Sequence, residues 1–254
     1  EWGLCIYIEY GEKHILLDTG ASDLFVQNAE KLGLDLTAVD AAVLSHAHYD
    51  HANGMEAFFR CNSKAKFYVG HTCGADCYYK KLFLRRYIGV PKTVLQDFQD
   101  RVVYAGKEPM EILPGVYLAP HKTVGLARVG RRENMYRRTN GRWVPDDFSH
   151  EQSLVLDTEK GLVIFNSCSH GGAADIIREV AGMFPGKTVY AIIGGFHLYN
   201  KSKSEVLALA KEIQQTGIAY VCTGHCTGEQ AYQLLHRELG EKLHPLQVGL
   251  VMEF

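Results

Sequence analysis

The sequence has no run of the roughly 20 apolar residues that a bilayer-crossing helix requires, and no charged-then-apolar leader opens it. A soluble protein with no membrane partner is expected. It also lacks a dominant charge: 27 Lys and Arg against 29 Asp and Glu leave a formal net charge of -2. No global field draws in nucleic acid, and the basic residues form one short run instead of a track, which makes a nucleic-acid partner unlikely. A disulfide framework is missing too. The seven cysteines are odd in number and lie partly beside histidines, which argues for free thiols in a reducing cytosol and a cytoplasmic location. His71, Cys73 and Cys77 match no closed four-ligand pattern and read as free side chains. Glu1 already falls inside a strand pattern, so a preceding segment is expected. What 254 residues with 46% hydrophobic content do provide is a full core, read as a single domain over 1–254. Nothing in the sequence sets an oligomeric state.

The most informative stretch is Ser45-His46-Ala47-His48-Tyr49-Asp50-His51. Three imidazoles and a carboxylate within six positions are costly to bury without a positive partner, and a divalent metal supplies one. Ala41 to Leu44 reads as a short buried strand, which places the cluster on a loop at its C-terminal end. His46 and His48, two apart in extended chain, project to one side and suit one ion, while Asp50 and His51 fall beyond the bend and suit a second.

Leu4–Tyr10 and His14–Asp18 read as a hairpin about Gly11-Glu12, followed by a helix from about Asp23 to Leu32, capped by Ser22 and stopped at Gly33. Asp18 is either an ordinary strand-to-helix turn carboxylate or a group at the edge shared with the histidines. A short helix after Asn53-Gly54 and a strand over Lys66–Val69 come next. The stretch from about 71 to 147 reads as an insert able to cover the active site. Within it, Tyr78, Tyr79, Phe83, Tyr87 and Ile88 with Lys80, Lys81, Arg85 and Arg86 suggest a partly exposed helix. Arg128 to Arg142 reads either as a solvated loop or as an anion-binding lid, with Arg131 and Arg132 as candidate substrate contacts.

The second half is more regular. Strands over Ser153–Leu156 and Leu162–Phe165 form a hairpin, a helix spans about Ala173 to Phe184, and a strand Val189–Ile193 follows. A helix from about Ser204 to Gln215, with Ser204 as its cap, leads to a strand Ala219–Cys222, a helix to about Leu239 and a closing strand Gln247–Met252. His46, His170, His197 and His225 all arrive at strand ends, so side-by-side strands would deliver them to one edge.

The HxHxDH stretch 46–51, with Cys168-Ser169-His170, Gly194-Gly195-Phe196-His197-Leu198 and Thr223-Gly224-His225-Cys226-Thr227-Gly228, resembles the metallo-β-lactamase superfamily of metal-dependent hydrolases. The motifs are similar to those of the branch that contains a dihydropterin ribofuranosylaminobenzene-phosphate synthase of methanopterin biosynthesis. The resemblance implies an α/β fold, an αββα sandwich of two mixed sheets flanked by helices. It implies two divalent ions, zinc first, with manganese or iron as alternatives. His46, His48 and His170 would hold one ion and Asp50, His51 and His225 the other, with Asp18 buttressing the metal loop. His150 competes with His170, and Cys168 stands where relatives carry a bridging Asp, either ligating or lining the pocket.

The same resemblance implies hydrolysis by a metal-bound hydroxide, and the arginine loop, read as an anion clamp, makes a small anionic substrate such as a phosphoester the expected one. Asp50 would accept the water's proton, and His197 would contact substrate or protonate the leaving group, unless it only hydrogen-bonds the loop. Two rivals are an iron-dependent redox enzyme of the same fold and a synthase of pterin metabolism. The chain carries no rubredoxin-type cysteine pairs to favour the former.

Overall fold

The computed structural model of the chain describes residues 1–74 and 76–254. It divides into two compact units, Glu1–Lys107 with Val124–Gln152, and Glu108–Thr123 with Ser153–Phe254. Each carries a mixed sheet with helices, and the first also a four-stranded antiparallel sheet, in keeping with the expected α/β class.

In the first unit a five-stranded sheet runs in the order Ile6–Tyr10, Lys13–Leu17, Ala41–Val43, Lys66–Val69, Val102–Tyr104. The expected hairpin opens it, and the remaining strands are parallel. Leu17 pairs with Val43 and Val43 with Tyr68, so three parallel strands finish at one edge. That register is why Asp18, immediately after Leu17, lies beside the loop that begins at Ser45. The helix Leu24–Leu32 ends where expected, at Gly33 with φ 72, while the Ser22 hydroxyl accepts from the Leu24 N–H at 3.1 Å. Phe25, Phe58 and Phe67 pack with Leu16 and Ala42 into one core. Phe58 and Phe67 are fully buried with ring centroids 5.7 Å apart, worth about 1.5–3 kcal/mol each in burial.

Two expectations in the insert are corrected. The aromatic and basic segment is no helix: Asp76–Lys81 and Leu84–Tyr87 form a hairpin, joined through Leu82 at φ 54. Arg128–Arg142 is no loop: it holds the helix Leu126–Arg132 and a hairpin of Met135–Thr139 with Arg142–Pro145. All four strands make one antiparallel sheet. Cross-strand aromatic pairs explain the preference: Tyr78 stands opposite Tyr87, touches it at 5.3 Å between centroids and meets Trp143 at 4.9 Å, while the Arg85 guanidinium lies 4.3 Å over Trp143. Asn140-Gly141, both at positive φ, was the available hairpin signal for the second pair. The first turn carries no glycine or asparagine to announce it.

In the second unit a seven-stranded sheet runs Leu243–Pro245, Tyr220–Thr223, Val189–Gly194, Gly161–Phe165, Gln152–Thr158, Val116–Pro120, Met110–Leu113. The first four are mutually parallel. Helices Ala173–Met183, Lys203–Gln215 and Glu229–Leu239 bury Ile176, Val206 and Leu235 against Ile164, Ile192 and Val221 of the sheet. Two boundaries differ from expectation. Ser202, not Ser204, caps its helix, in a reciprocal box with Glu205. The last strand is Leu243–Pro245, and 247–252 has no strand.

A polar network sits beneath this sheet. Asn166 Nδ2 donates to His121 Nε2 at 3.1 Å and to Ser153 Oγ at 3.0 Å, and His121 Nε2 lies 2.9 Å from Ser153 Oγ. Nε2 is thereby an acceptor, and Nδ1 donates to Glu179 Oε2 at 3.1 Å. Ser153 is fully buried, so this serine–histidine–glutamate row is a structural tie and not a nucleophile. Burial alone would raise the Glu179 pKa, but bonds from His121, Thr123 and the Lys122 N–H hold it below its ordinary 4.5. A depressed carboxylate stabilises above its unfolded pKa and loses that contribution as pH falls through the folded one. Thermal melts should therefore show stability lost below about pH 4.5, with a shallower acid limb in Glu179→Gln. An identical limb in both proteins would assign the loss elsewhere.

Candidate metal centre

The first unit presents its donors around one buried carboxylate. Asp18, fully buried and held at φ 60, accepts from Ser45 N at 2.7 Å through Oδ1, and from Ser45 Oγ and His51 Nδ1, each at 2.7 Å, through Oδ2. Since the Ser45 hydroxyl spends its proton on Asp18, its oxygen accepts from His46 Nδ1 at 2.8 Å. Both His46 and His51 are thus fixed with the proton on Nδ1 and Nε2 as the coordinating atom, the tautomer that a carboxylate behind a metal-binding histidine selects. The centroids of His46 lie 4.7 Å from His48 and 4.3 Å from His51. His51 Nε2 lies 3.5 Å from Asp50 Oδ2.

The electrostatics agree with this donor set. Burial, then the neighbouring His51 and His48, push His46 well below its ordinary pKa, and burial lowers His48. Burial would lower His51 as well, but Asp50 and Asp18 outweigh it and raise it to about 10. His46 and His48 are thereby neutral imidazoles, the ligand form that divalent metals take, whereas His51 keeps a second proton that an ion would displace. The residues expected from 46–51 and Asp18 are brought together within this unit, and they fit the metal.

His150 is placed differently. The Ala47 N–H donates to its Nδ1 at 3.1 Å, so Nε2 carries the proton and points it at Asp146 Oδ2, 3.3 Å away. His150 Nε2 also falls in a buried group with His48, Cys77 and Asp146 whose donor atoms lie within 4.8 Å of one another and could hold an ion. Asp146 Oδ2 in turn lies 3.8 Å from His48 Nε2, and His150 and His48 hold this buried carboxyl far below the usual range against its burial. Cys77 Sγ adds a contact to His150 Nε2 at 3.8 Å. Asp146 and Cys77 were not read from the sequence as neighbours of His48, because they lie 98 and 29 positions away along the chain and only the insert's folding brings them in.

The second unit delivers its groups from three adjacent parallel strands, with Phe165 paired to Ile193 and Ile193 to Cys222. The following loops carry Cys168 and His170, His197, and His225 with Cys226, at one edge as the recurrent strand-then-histidine pattern implies. They are laced together: Gly195 N donates to Ser167 O at 2.9 Å, Phe196 N to Thr227 Oγ1 at 3.0 Å and Leu198 N to Cys226 O at 2.9 Å. His170 and His197 have centroids 4.5 Å apart. Cys226 is the group that the sequence reading missed here, although it stands beside His225 in the quoted motif. Among the described residues no cysteine is disulfide-bonded, as expected.

Arg131 and Arg132 are exposed in the last turn of the helix Leu126–Arg132. Arg132 Nε donates to Glu133 Oε1 at 3.2 Å, and Arg137 is committed to Asp147 at 2.7 Å. Among the described residues no helix is long and apolar enough to cross a membrane.

Comparison with known proteins completes the picture. The family model for the metallo-beta-lactamase superfamily matches residues 3–225. A 7,8-dihydropterin-6-methyl-4-(beta-D-ribofuranosyl)-aminobenzene-5'-phosphate synthase of Methanocaldococcus jannaschii is 27% identical over 96% of this chain and 85% of its own length. An uncharacterized protein of the same organism is 24% identical over 90% of this chain and 85% of its own. A solved structure described as a metal-dependent hydrolase of the β-lactamase superfamily is 30% identical, with a TM-score of 0.81, covering 97% of this chain and 93% of that one.

Proposed function

Because the chain belongs to the metallo-β-lactamase superfamily, we propose that it is a metal-dependent hydrolase of a small anionic substrate such as a phosphoester. On the family's pattern His46, His48, Asp50 and His51 of the first unit, and His170 and His225 of the second, serve as ligands to divalent ions, with zinc favoured by the imidazole donors. Ions bound there supply Lewis acidity and a nucleophile at neutral pH. The observation that carries the reading is the Asp18–Ser45 pair, which fixes the tautomers of His46 and His51 with Nε2 as the donor. Such preorganisation serves a ligand and has no other evident use in a buried loop. Asp50, 8% exposed beside His51, would accept a proton as well as ligate. The arginines of 128–142 favour an anion, with the exposed Arg131 and Arg132 as its contacts.

A second reading is supported by the 27% identity with the synthase: a synthase-type reaction of pterin metabolism instead of hydrolysis. Elemental analysis of the purified protein, with assays of an aryl phosphodiester, an aryl phosphomonoester, a lactone and the synthase reaction, separates the two. Bound zinc or manganese with chelator-sensitive turnover of one hydrolytic substrate is expected. Protein without bound metal and without turnover would remove the hydrolase reading, and turnover in the synthase reaction alone would establish the synthase.

A further inference from the structure

We propose that Cys168, His197 and Cys226 form a binding site for one thiophilic divalent ion, zinc in kind, inside the second unit. One ligand atom from each lies within 4.8 Å of the others. All three are buried, at 3%, 8% and 2% exposure, which keeps water from competing. The two sulfurs are 3.4 Å apart. Zinc–sulfur bonds of about 2.3 Å at a tetrahedral angle separate two sulfurs by about 3.8 Å, so a small rotation of either thiol suffices.

The backbone is arranged for this contact. Each donor sits at or beside a non-glycine residue in the left-handed region: Ser169, after Cys168, at φ 51; His197 itself at φ 48; His225, before Cys226, at φ 49. Such conformations are strained and persist where the surroundings impose them, commonly at ligand sites. The His197 N–H donates to Cys226 Sγ at 3.2 Å, a bond that favours sulfur carrying negative charge. Gly195 makes the space: a Cβ there would lie 2.5 Å from Cys226 Sγ and 2.6 Å from Ser167 O. The residue is glycine because the sulfur occupies the position a side chain would take.

Binding is an acid–base event without redox change. The ion takes the place of the thiol protons, which pass to solvent, and His197 contributes a neutral nitrogen. Three protein donors leave a fourth coordination position open to a small ligand, the arrangement of reactive zinc sites as opposed to closed structural ones. His197 thereby acquires a ligand role in place of the leaving-group protonation expected from the sequence. The site shares no residue with the six ligands named under the proposed function, although Cys168 stands where relatives carry their bridging Asp, so Cys226 and His197 are the donors that distinguish it.

Cobalt(II) added to metal-free protein tests the assignment, because a cobalt–thiolate bond absorbs in the near ultraviolet whereas cobalt bound by imidazole and carboxylate does not. The wild-type protein should gain this band and release protons as it does so. Cys168→Ser and Cys226→Ser should each lose intensity, and His46→Ala should keep it. Absence of the band from wild-type protein saturated with cobalt overturns the site without recourse to any variant, as does an undiminished band in Cys226→Ser. Disappearance of two titratable thiols from the metal-free protein in air would overturn it in favour of a disulfide-forming pair. If instead His46→Ala retains the full metal complement, the hydrolase reading fails and the thiolate site is untouched.

Discussion

Asp18→Ala lowers the metal affinity of the protein by about 10- to 100-fold and destabilises the metal-free chain by about 3 kcal/mol or more. The side chain is fully buried and accepts from Ser45 N, Ser45 Oγ and His51 Nδ1, each at 2.7 Å. Alanine leaves those donors without their acceptor in a place water does not reach, at about 1–3 kcal/mol for each one stranded. It also frees the Ser45 hydroxyl to donate to His46 Nδ1, which moves the His46 proton to Nε2 and blocks that nitrogen as a ligand. His51, which the Asp50 and Asp18 carboxylates raise to about 10 against its burial, loses one of its two supports, so its pKa falls. Competition with a chromophoric chelator gives the affinity, urea unfolding of metal-free protein the stability, and an NMR titration of His51 the pKa. Asp18→Asn should lie between the two, keeping one acceptor without the charge. Unchanged metal affinity in Asp18→Ala would show that the carboxylate holds the loop without preparing its histidines.

Gly194→Ala is expected to be comparably severe, at about 3 kcal/mol or more, from a different cause. Gly194 has φ 143, and a Cβ there would lie 1.8 Å from Asn166 O and 2.6 Å from Asn166 C. Backbone strain and overpacking cost about 1–3 kcal/mol each, and the obstructing atoms are main chain, which cannot rotate aside. Asn166 also ties the loop that bears Cys168 and His170, since its Oδ1 accepts from Ser169 N at 2.7 Å. The damage therefore reaches the donors as well as the sheet. Gly182→Ala is the control. A Cβ there meets nothing within 4 Å, and the position lies in the helix Ala173–Met183, so alanine should add about 0.5–1 kcal/mol. Chemical denaturation of both variants decides the matter, and a Gly194→Ala protein as stable as the parent would mean that the Asn166 strand end yields.

Much of this protein was legible in the chain itself. Short apolar runs ending in His46, His170, His197 and His225 announced side-by-side strands with polar ends, because a buried strand and its exit loop are local in sequence. The dense spacing of 46–51 announced a cluster of metal-type donors for the same reason. The helix ends at Gly33 and near Leu239 were likewise set by residues next to them. Tertiary structure alone decided what distance along the chain conceals. Asp18 became the hub of the metal loop through the pairing of Leu17 with Val43. His150 was brought against Asp146 and Cys77, 4 and 73 positions away, with its Nδ1 accepting from the Ala47 N–H. The segment 76–87 became a hairpin because Tyr78 could meet Tyr87 and Trp143, cross-strand contacts that outweigh a local composition compatible with a helix. Cys226 joined Cys168 and His197 because three parallel strands share a register, and a register is fixed by the packing of a whole sheet, which no single motif contains.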